Sequence, residues 1–348
     1  MPDKIAPAEV TANFIHIRPD WLALEHEEVL EPDLPIVDPH HHFWQRANST
    51  YLLPDLLADT GAGHNVRATV FVECHAMYRA GGPADLRSLG ETEFVNGIAA
   101  MSASGGYGAM RAATGIVGNV DLRIGDAAKP ALEAHVRAAP DRFRGIRNVA
   151  AWHPTTTVTS SPSVEGLLTN GQFRRGFAAL APLGLSFDAW LVHTQLGELL
   201  DLARAFPQTS IILNHIGGPV GIGPYRGKRE EVFGIWKAGI LELARCPNLT
   251  VKLGGLGMNV MGFGFHEQPA PPTSEQLAVA WKPYIETCIE AFGADRCMFE
   301  SNFPVDKGSC SYRSLWNAFK RITKAYSATD KGALYAGTAL RVYRLVAS

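Results

Sequence analysis

Long apolar runs are missing from this sequence. In 348 residues, no segment approaches the roughly 18 consecutive apolar residues that a membrane-spanning helix needs. Residues 1–20 carry charges and prolines where a secretory signal would have an unbroken apolar stretch. These absences predict a cytoplasmic protein with no membrane partner.

An excess of charge of one sign is also missing, and cysteines are few. The chain has 32 Lys and Arg against 34 Asp and Glu, so it has no sequence-wide basic field of the kind that collects nucleic acid. The five cysteines lack C-x-x-C spacing, and an odd number cannot all pair within one chain. We therefore expect reduced thiols and no nucleic-acid partner.

Oligomeric state is not determined by the sequence, and a homo-oligomer stays open.

What the chain does have is a repeated alternation of strand and helix patterns. Short apolar or β-branched runs recur eight times after residue 35, and most are separated by segments long enough to hold a helix. Helical spacing of apolar residues is clear in three of these segments. The predicted strands are 36–38, 68–72, 115–120, 143–149, 185–190, 210–214, 249–253 and 297–299, and the three helices are 127–138, 196–206 and 276–292.

Eight strands with crossover helices favour one particular α/β architecture. They predict a closed (β/α)8 TIM barrel, because an open doubly wound sheet, the alternative, more often uses five or six strands. We assign residues 36–348 to this single barrel domain and residues 1–35 to an N-terminal extension packed on it. The segment 259–272, rich in Gly, Pro and aromatic residues, is too long for a tight connection and is a candidate substrate lid.

The first strand leads into the most informative motif, Asp38-Pro39-His40-His41-His42-Phe43-Trp44. Catalytic groups of TIM barrels lie at the carboxyl ends of the strands. Residues two apart in an extended segment face the same side, so His40 and His42 converge while His41 faces away. Two imidazoles at this spacing can hold a divalent metal or hydrogen-bond a polar substrate oxygen. The alternative is a surface loop that happens to be rich in histidine.

Together with His215-Ile216-Gly217-Gly218-Pro219 and Ser301-Asn302-Phe303-Pro304, this motif resembles amidohydrolase family 2. The resemblance covers nearly the whole chain from Ile36, and within the family it is strongest to sugar-lactone and 2-pyrone-4,6-dicarboxylate lactonases. It implies a barrel that hydrolyses a cyclic ester of a small sugar acid or dicarboxylic acid. It also implies a site histidine at His215, for which a buried structural histidine is the alternative.

Other strand ends supply further candidates. Arg147 ends the fourth strand, where its planar guanidinium could clamp a substrate carboxylate or lactone carbonyl, or pair structurally with Asp188 or Glu73. Glu73 closes the second strand as a candidate acid or base, with an ion pair to Arg147 or a histidine as the alternative. His193 follows the fifth strand as a substrate-binding candidate or a structural residue. Trp44 is a candidate pocket wall, although such aromatics more often pack in a core.

The eighth strand departs from the family pattern. The resemblance implies an aspartate that serves as metal ligand and general base, but the residue is Asn302, a substrate-binding candidate here. An amide cannot take a proton from water and is a poor metal ligand, so the base must be Asp306 or Glu73. Asp306 could instead cap the next helix, and Glu300 could face the site or form an ion pair in the barrel.

A divalent metal therefore stays open at the sequence level. Zinc could be held by His40, His42 and His215, while a reactive lactone could also be opened without metal by imidazoles and Arg147.

Lactone hydrolysis is the leading functional hypothesis, with a small lactone or carboxylate as the substrate. A metal-dependent, non-oxidative decarboxylase of an aromatic acid is an alternative. It is disfavoured because the first-strand motif of such relatives resembles E-x-H and their eighth strand keeps the aspartate, whereas this chain has His40 and Asn302 at these positions. A catalytically inactive barrel that binds a small acid is the other alternative.

Overall fold

Eight parallel strands form one curved sheet in the computed structural model, which describes residues 14–346. Their order in the sheet follows their order in the chain, and the predicted TIM barrel is confirmed. A short antiparallel hairpin, β2 and β3, follows the first barrel strand. The strands are β1 (Ile36–His41), β2 (Trp44–Arg46), β3 (Ser49–Tyr51), β4 (Val66–Val72), β5 (Arg111–Gly118), β6 (Phe143–Val149), β7 (Ser186–Trp190), β8 (Ile211–Leu213), β9 (Leu249–Leu253) and β10 (Cys297–Phe299).

Helices surround the sheet, and the three that the apolar spacing predicts are present with ends within two residues of the expected ones. Within residues 14–346, no helix is both long and apolar enough to cross a membrane. All five cysteines are free thiols. The helices are α1 (Pro19–Leu22), α2 (Leu53–Thr60), α3 (Leu89–Ala103), α4 (Ala128–Ala138), α5 (Gly171–Phe177), α6 (Leu196–Ala205), α7 (Arg229–Ala244), α8 (Ser274–Phe292), α9 (Tyr312–Ile322), α10 (Ala328–Gly332) and α11 (Thr338–Val342).

The barrel is closed between β1 and the segment after β10. The His42 amide donates to the Phe303 carbonyl at 2.8 Å, and the Asn302 amide donates to the His40 carbonyl at 2.9 Å. A parallel bridge between His41 and Phe303 continues this pairing beyond the end of β10. Closure therefore places the first-strand histidines directly beside the eighth-strand motif.

The buried side chain of Asp38 also joins β1 to the segment that follows β10. Its Oδ1 accepts the Ser301 amide at 3.0 Å, and its Oδ2 accepts the Tyr312 hydroxyl at 3.1 Å. Burial raises the pKa of Asp38 to about 6, although these hydrogen bonds act in the opposite direction.

The described part of the N-terminal extension packs on the outer helices. Trp21 Nε1 donates to the Gln268 carbonyl at 3.0 Å, and the Leu30 amide donates to Asn317 Oδ1 in α9 at 2.9 Å. Residues 1–13 of the predicted extension lie outside the described residues.

A buried ion pair crosses the barrel interior. Lys252 Nζ in β9 lies 2.7 Å from Asp188 Oδ1 in β7, and both side chains are fully buried. Asn214 Nδ2 at 2.9 Å and the Tyr343 hydroxyl at 2.9 Å also donate to Asp188 Oδ1. The charge of each partner is therefore tolerated only because the other is present.

Replacing Lys252 with Met should destabilise the protein by about 3–5 kcal/mol, because Asp188 would be left as an uncompensated buried charge. Chemical denaturation followed by circular dichroism measures this change. Lys282→Met, on the exposed face of α8, is the control and should change stability little. The double variant Lys252→Met/Asp188→Asn should be more stable than Lys252→Met alone. A single variant as stable as the parent protein would contradict the assigned role of the pair.

Candidate active site

Three histidines meet at the carboxyl ends of the barrel strands. His40 lies in β1, His42 follows β1, and His215 follows β8, and all three are buried. The ring centroids of His40 and His42 are 5.0 Å apart, and those of His40 and His215 are 4.6 Å apart. His41 points elsewhere, with its Nε2 2.8 Å from Thr69 Oγ1. The three histidines that the sequence singles out are thus neighbours.

The backbone is strained where two of the site residues lie. His215, Ile216 and Asn302 have φ values of 52°, 50° and 56° in the left-handed region, which costs a non-glycine residue about 1–3 kcal/mol. Trp236 Nε1 donates to the Ile216 carbonyl at 2.6 Å and helps to hold this turn. A Cβ on Gly255 would lie 2.3 Å from His215 Nδ1, so only glycine fits beside the ring. The surrounding packing therefore fixes the position of His215.

Glu300 lies between two of the histidines and is fully buried. Its Oε1 accepts from His215 Nδ1 at 2.7 Å and from the His215 amide at 3.1 Å. Its Oε2 lies 2.6 Å from His40 Nδ1, but this oxygen makes no well-aligned hydrogen bond within residues 14–346. A proton on Nδ1 of His215 leaves Nε2 of that ring as a free acceptor.

The residues around Glu300 fit a divalent cation. His40, His215 and Glu300 each bring one ligand atom to a common point, with these atoms within 4.8 Å of one another. Imidazole nitrogen and carboxylate oxygen are ligands of zinc, and the unpartnered Glu300 Oε2 is an atom that a cation would satisfy. This group shares His40 and His215 with the predicted metal set, and has Glu300 where the sequence suggested His42.

His42 faces Asn302 across a short gap. His42 Nδ1 donates to the Val72 carbonyl at 2.8 Å, which leaves Nε2 as an acceptor. Asn302 Nδ2 donates to Asp306 Oδ1 at 2.8 Å, which turns Asn302 Oδ1 toward His42 Nε2 at 3.4 Å. Two acceptors in this position can share a water or a cation.

Asp306 stands behind Asn302 rather than at the cavity. Its Oδ2 accepts the Gly257 amide at 2.9 Å, so both carboxylate oxygens are occupied, and the side chain is fully buried. Burial raises the pKa of Asp306 to about 8. The Asp306 side chain orients the Asn302 amide.

Arg147 and Glu73 form a second buried ion pair. Arg147 Nε lies 2.7 Å from Glu73 Oε1, and Nη1 lies 3.4 Å from His40 Nε2. Asp188, the other partner considered for Arg147, binds Lys252 instead. Glu73 is fully buried, whereas Arg147 reaches the cavity wall.

The desolvated environment keeps the histidines neutral. Burial lowers the pKa of His40 and of His42 well below the usual range, with Lys252 and Arg147, respectively, adding to the effect. Burial also lowers the pKa of His215, although the neighbouring Glu300 acts in the opposite direction. Neutral rings with free nitrogens can bind a metal or accept a proton.

A cavity of about 100 Å³ opens above these groups. His42, Arg147, His215 and Asn302 supply its polar wall, and apolar walls come from residues that include Trp44, Trp190, Met258 and Val260. The predicted lid segment 259–272 thus contributes Val260. Larger cavities of about 280, 270 and 300 Å³ have linings that include none of the three histidines.

His193 lies outside the cavity lining. Its Nδ1 accepts the Val220 amide at 3.3 Å, and its ring centroid is 4.9 Å from that of Tyr225 in an edge contact. Burial lowers its pKa to about 4. Its Nε2 is buried without a hydrogen-bond partner among residues 14–346, and the substrate-binding role of His193 stays a prediction.

Two residues near the histidines escaped the sequence reasoning. Lys252 Nζ lies 3.3 Å from His40 Nδ1, and a lone lysine inside the apolar strand Leu249–Leu253 was an available signal. Arg46, at the end of the unpredicted β2, also lines the cavity.

Replacing Asp306 with Asn should flatten the dependence of stability on pH. The folded-state pKa of about 8 is above the roughly 3.9 of an unfolded aspartate. The folded protein therefore keeps a proton that the unfolded chain loses, and stability falls as pH rises between these values. Thermal unfolding at pH 5, 7 and 8.5 should show the Tm of Asp306→Asn rising relative to wild type. Asp85→Asn, on the surface, should run parallel to wild type, and a parallel course for Asp306→Asn would refute the assignment.

Comparison with known proteins identifies relatives along almost the entire chain. The family model of the amidohydrolases, Amidohydro_2, matches residues 37–345. The chain is 35% identical over 340 residues to the uncharacterised protein y4mH of Sinorhizobium fredii, covering 90% of this chain and 99% of that protein. It is 27% identical over 331 residues to an L-fucono-1,5-lactonase of Burkholderia ambifaria, covering 89% and 95%.

Solved structures support the fold. A crystal structure of an amidohydrolase from Burkholderia multivorans with bound HEPES has a TM-score of 0.70 at 24% identity, covering 89% of this chain and 99% of that one. A second crystal form, with bound zinc, has a TM-score of 0.67. At this identity the likeness establishes the barrel and leaves the chemistry to be argued from the site.

Proposed function

We propose that this chain, which belongs to the amidohydrolase family, hydrolyses the cyclic ester of a small sugar acid or dicarboxylic acid. The observation that carries the proposal is the pairing of His215 with the buried Glu300, at 2.7 Å, on the wall of the cavity that Arg147 also lines. Its relationship to L-fucono-1,5-lactonases adds support.

His215 is the best-placed general base. Its Nδ1 donates to Glu300, so Nε2 is free to take a proton from water, and the carboxylate stabilises the imidazolium that forms. The lowered pKa of His215 keeps the ring neutral near pH 7. Asp306 and Glu73, the carboxylates that the sequence suggested, are both buried behind other side chains and away from the cavity lining.

The reaction then follows from the surrounding groups. Water loses a proton to His215 Nε2 as its oxygen bonds to the lactone carbonyl carbon, and Arg147 stabilises the developing oxyanion. The ring C–O bond breaks, and the proton on His215 passes to the departing ring oxygen, giving a hydroxy acid. His42 and Asn302 hold the reacting water or the substrate on the opposite wall.

A divalent metal such as zinc would be held by His40, His215 and Glu300, where it would polarise the ester carbonyl and acidify a bound water. A ring nitrogen that binds a metal cannot also take a proton, so the general-base role of His215 belongs to the metal-free route.

Replacing His215 with Asn should lower kcat by about 100- to 10,000-fold, because the ring that moves the proton is removed. The measurement is hydrolysis of a panel of sugar-acid and muconate-type lactones, with metal analysis and a chelator-treated sample of wild type. His26→Asn, at an exposed histidine of the N-terminal extension outside the cavity, is the control and should retain activity.

The panel also separates the alternatives. Turnover that survives chelation would support the metal-free route, and turnover lost with zinc would assign the metal to the reaction. No turnover of any lactone, with the protein folded and metal-loaded, would reject the proposal in favour of a decarboxylase or a small-acid-binding barrel.

A further inference from the structure

The charge on the cavity wall is unbalanced. Among the described residues that line the cavity there are two arginines, Arg46 and Arg147, and neither an aspartate nor a glutamate. The charge of Arg147 is neutralised by Glu73 behind it, at 2.7 Å. For Arg46, none of the ion pairs formed within residues 14–346 involves its guanidinium. Arg46 therefore contributes a net positive charge to the cavity.

Arg46 is connected to the site histidines through residues at alternate positions of the chain. His40, His42, Trp44 and Arg46 occupy alternate positions, the spacing that keeps extended residues on one side. The His42 and Trp44 rings stack with centroids 6.0 Å apart, and Arg46 Cζ lies 4.3 Å from the Trp44 ring centroid. One tryptophan ring thus separates the guanidinium from the site histidine.

Arg46 is held in this position although it is exposed. Its Nη2 donates to the Cys74 carbonyl at 3.1 Å, and its guanidinium lies over Trp44. A guanidinium has five N–H donors, so most remain available to a ligand. Ordering an arginine side chain before binding reduces the entropy lost on binding.

We infer that Arg46 determines substrate specificity by binding a carboxylate of the substrate on the far side of Trp44 from the reacting carbonyl. The inference rests on the proposed lactone hydrolysis and narrows its substrate to lactones that carry an exocyclic carboxylate. A planar guanidinium binds a carboxylate through two parallel N–H bonds, which fixes orientation as well as adding affinity.

The test compares two lactones that differ only at one terminus. Glucaro-1,4-lactone carries a carboxylate where glucono-1,4-lactone carries a hydroxymethyl group. Wild type should prefer the acid lactone, and Arg46→Met should lower its kcat/KM by about ten- to a hundredfold, chiefly through KM, because a charged hydrogen-bond pair is lost. Turnover of the neutral lactone should stay within twofold. Arg46→Lys should recover part of the loss, since it keeps the charge without the fork.

Controls and binding measurements separate this inference from the proposed function. Arg137→Met, an exposed arginine on α4, removes the same charge elsewhere and should leave both lactones unaffected. Calorimetric titration with the open-chain acids glucarate and gluconate reports on Arg46 without turnover. Arg46-dependent preference for glucarate without lactone turnover would support the anion site and reject only the hydrolase. Equal selectivity of wild type and Arg46→Met in both assays would overturn the inference.

Discussion

The site depends on how the barrel closes between its first and last strands. The bonds from His42 to Phe303 and from Asn302 to His40 are main-chain bonds, so they fix the relative positions of two segments far apart in the sequence. The Asp38 side chain adds a hydrogen bond between the same two segments, since it accepts the Ser301 amide. Because parallel barrel strands end at one face, this closure brings His40 and His42 against Glu300 and Asn302.

Charge pairing in the interior explains which side chains remain available for chemistry. Lys252 is bound to Asp188, and Arg147 is bound to Glu73. These pairs offset the desolvation free energy of each buried charge. They leave the carboxylate of Glu300 to face the two histidines on either side of it. Glu300 fixes which nitrogen of His215 is free, because its Oε1 accepts a hydrogen bond from Nδ1 of that ring.

Most of the fold could be predicted from the sequence, because apolar periodicity is local and strand ends follow from it. The strands at 143–149, 249–253 and 297–299 have the predicted bounds, and the alternation of His40, His41 and His42 gave the correct facing. Pairing partners could not be predicted in this way, since they depend on three-dimensional neighbours. Arg147 pairs with Glu73, and Asp188 pairs with Lys252 from β9 instead.

The asparagine in the eighth-strand motif need not mean that the site has lost its chemistry. In this chain the carboxyl group of Asp306 lies directly behind Asn302, and it turns the Asn302 oxygen toward His42 Nε2. The position therefore offers a neutral acceptor where a carboxylate would bring a negative charge. A neutral acceptor beside an arginine-lined cavity does not repel an anionic substrate, whereas an aspartate there would. The neutral amide of Asn302 and the uncompensated charge of Arg46 at the rim thus have the same consequence. Both make the cavity more favourable to a carboxylate.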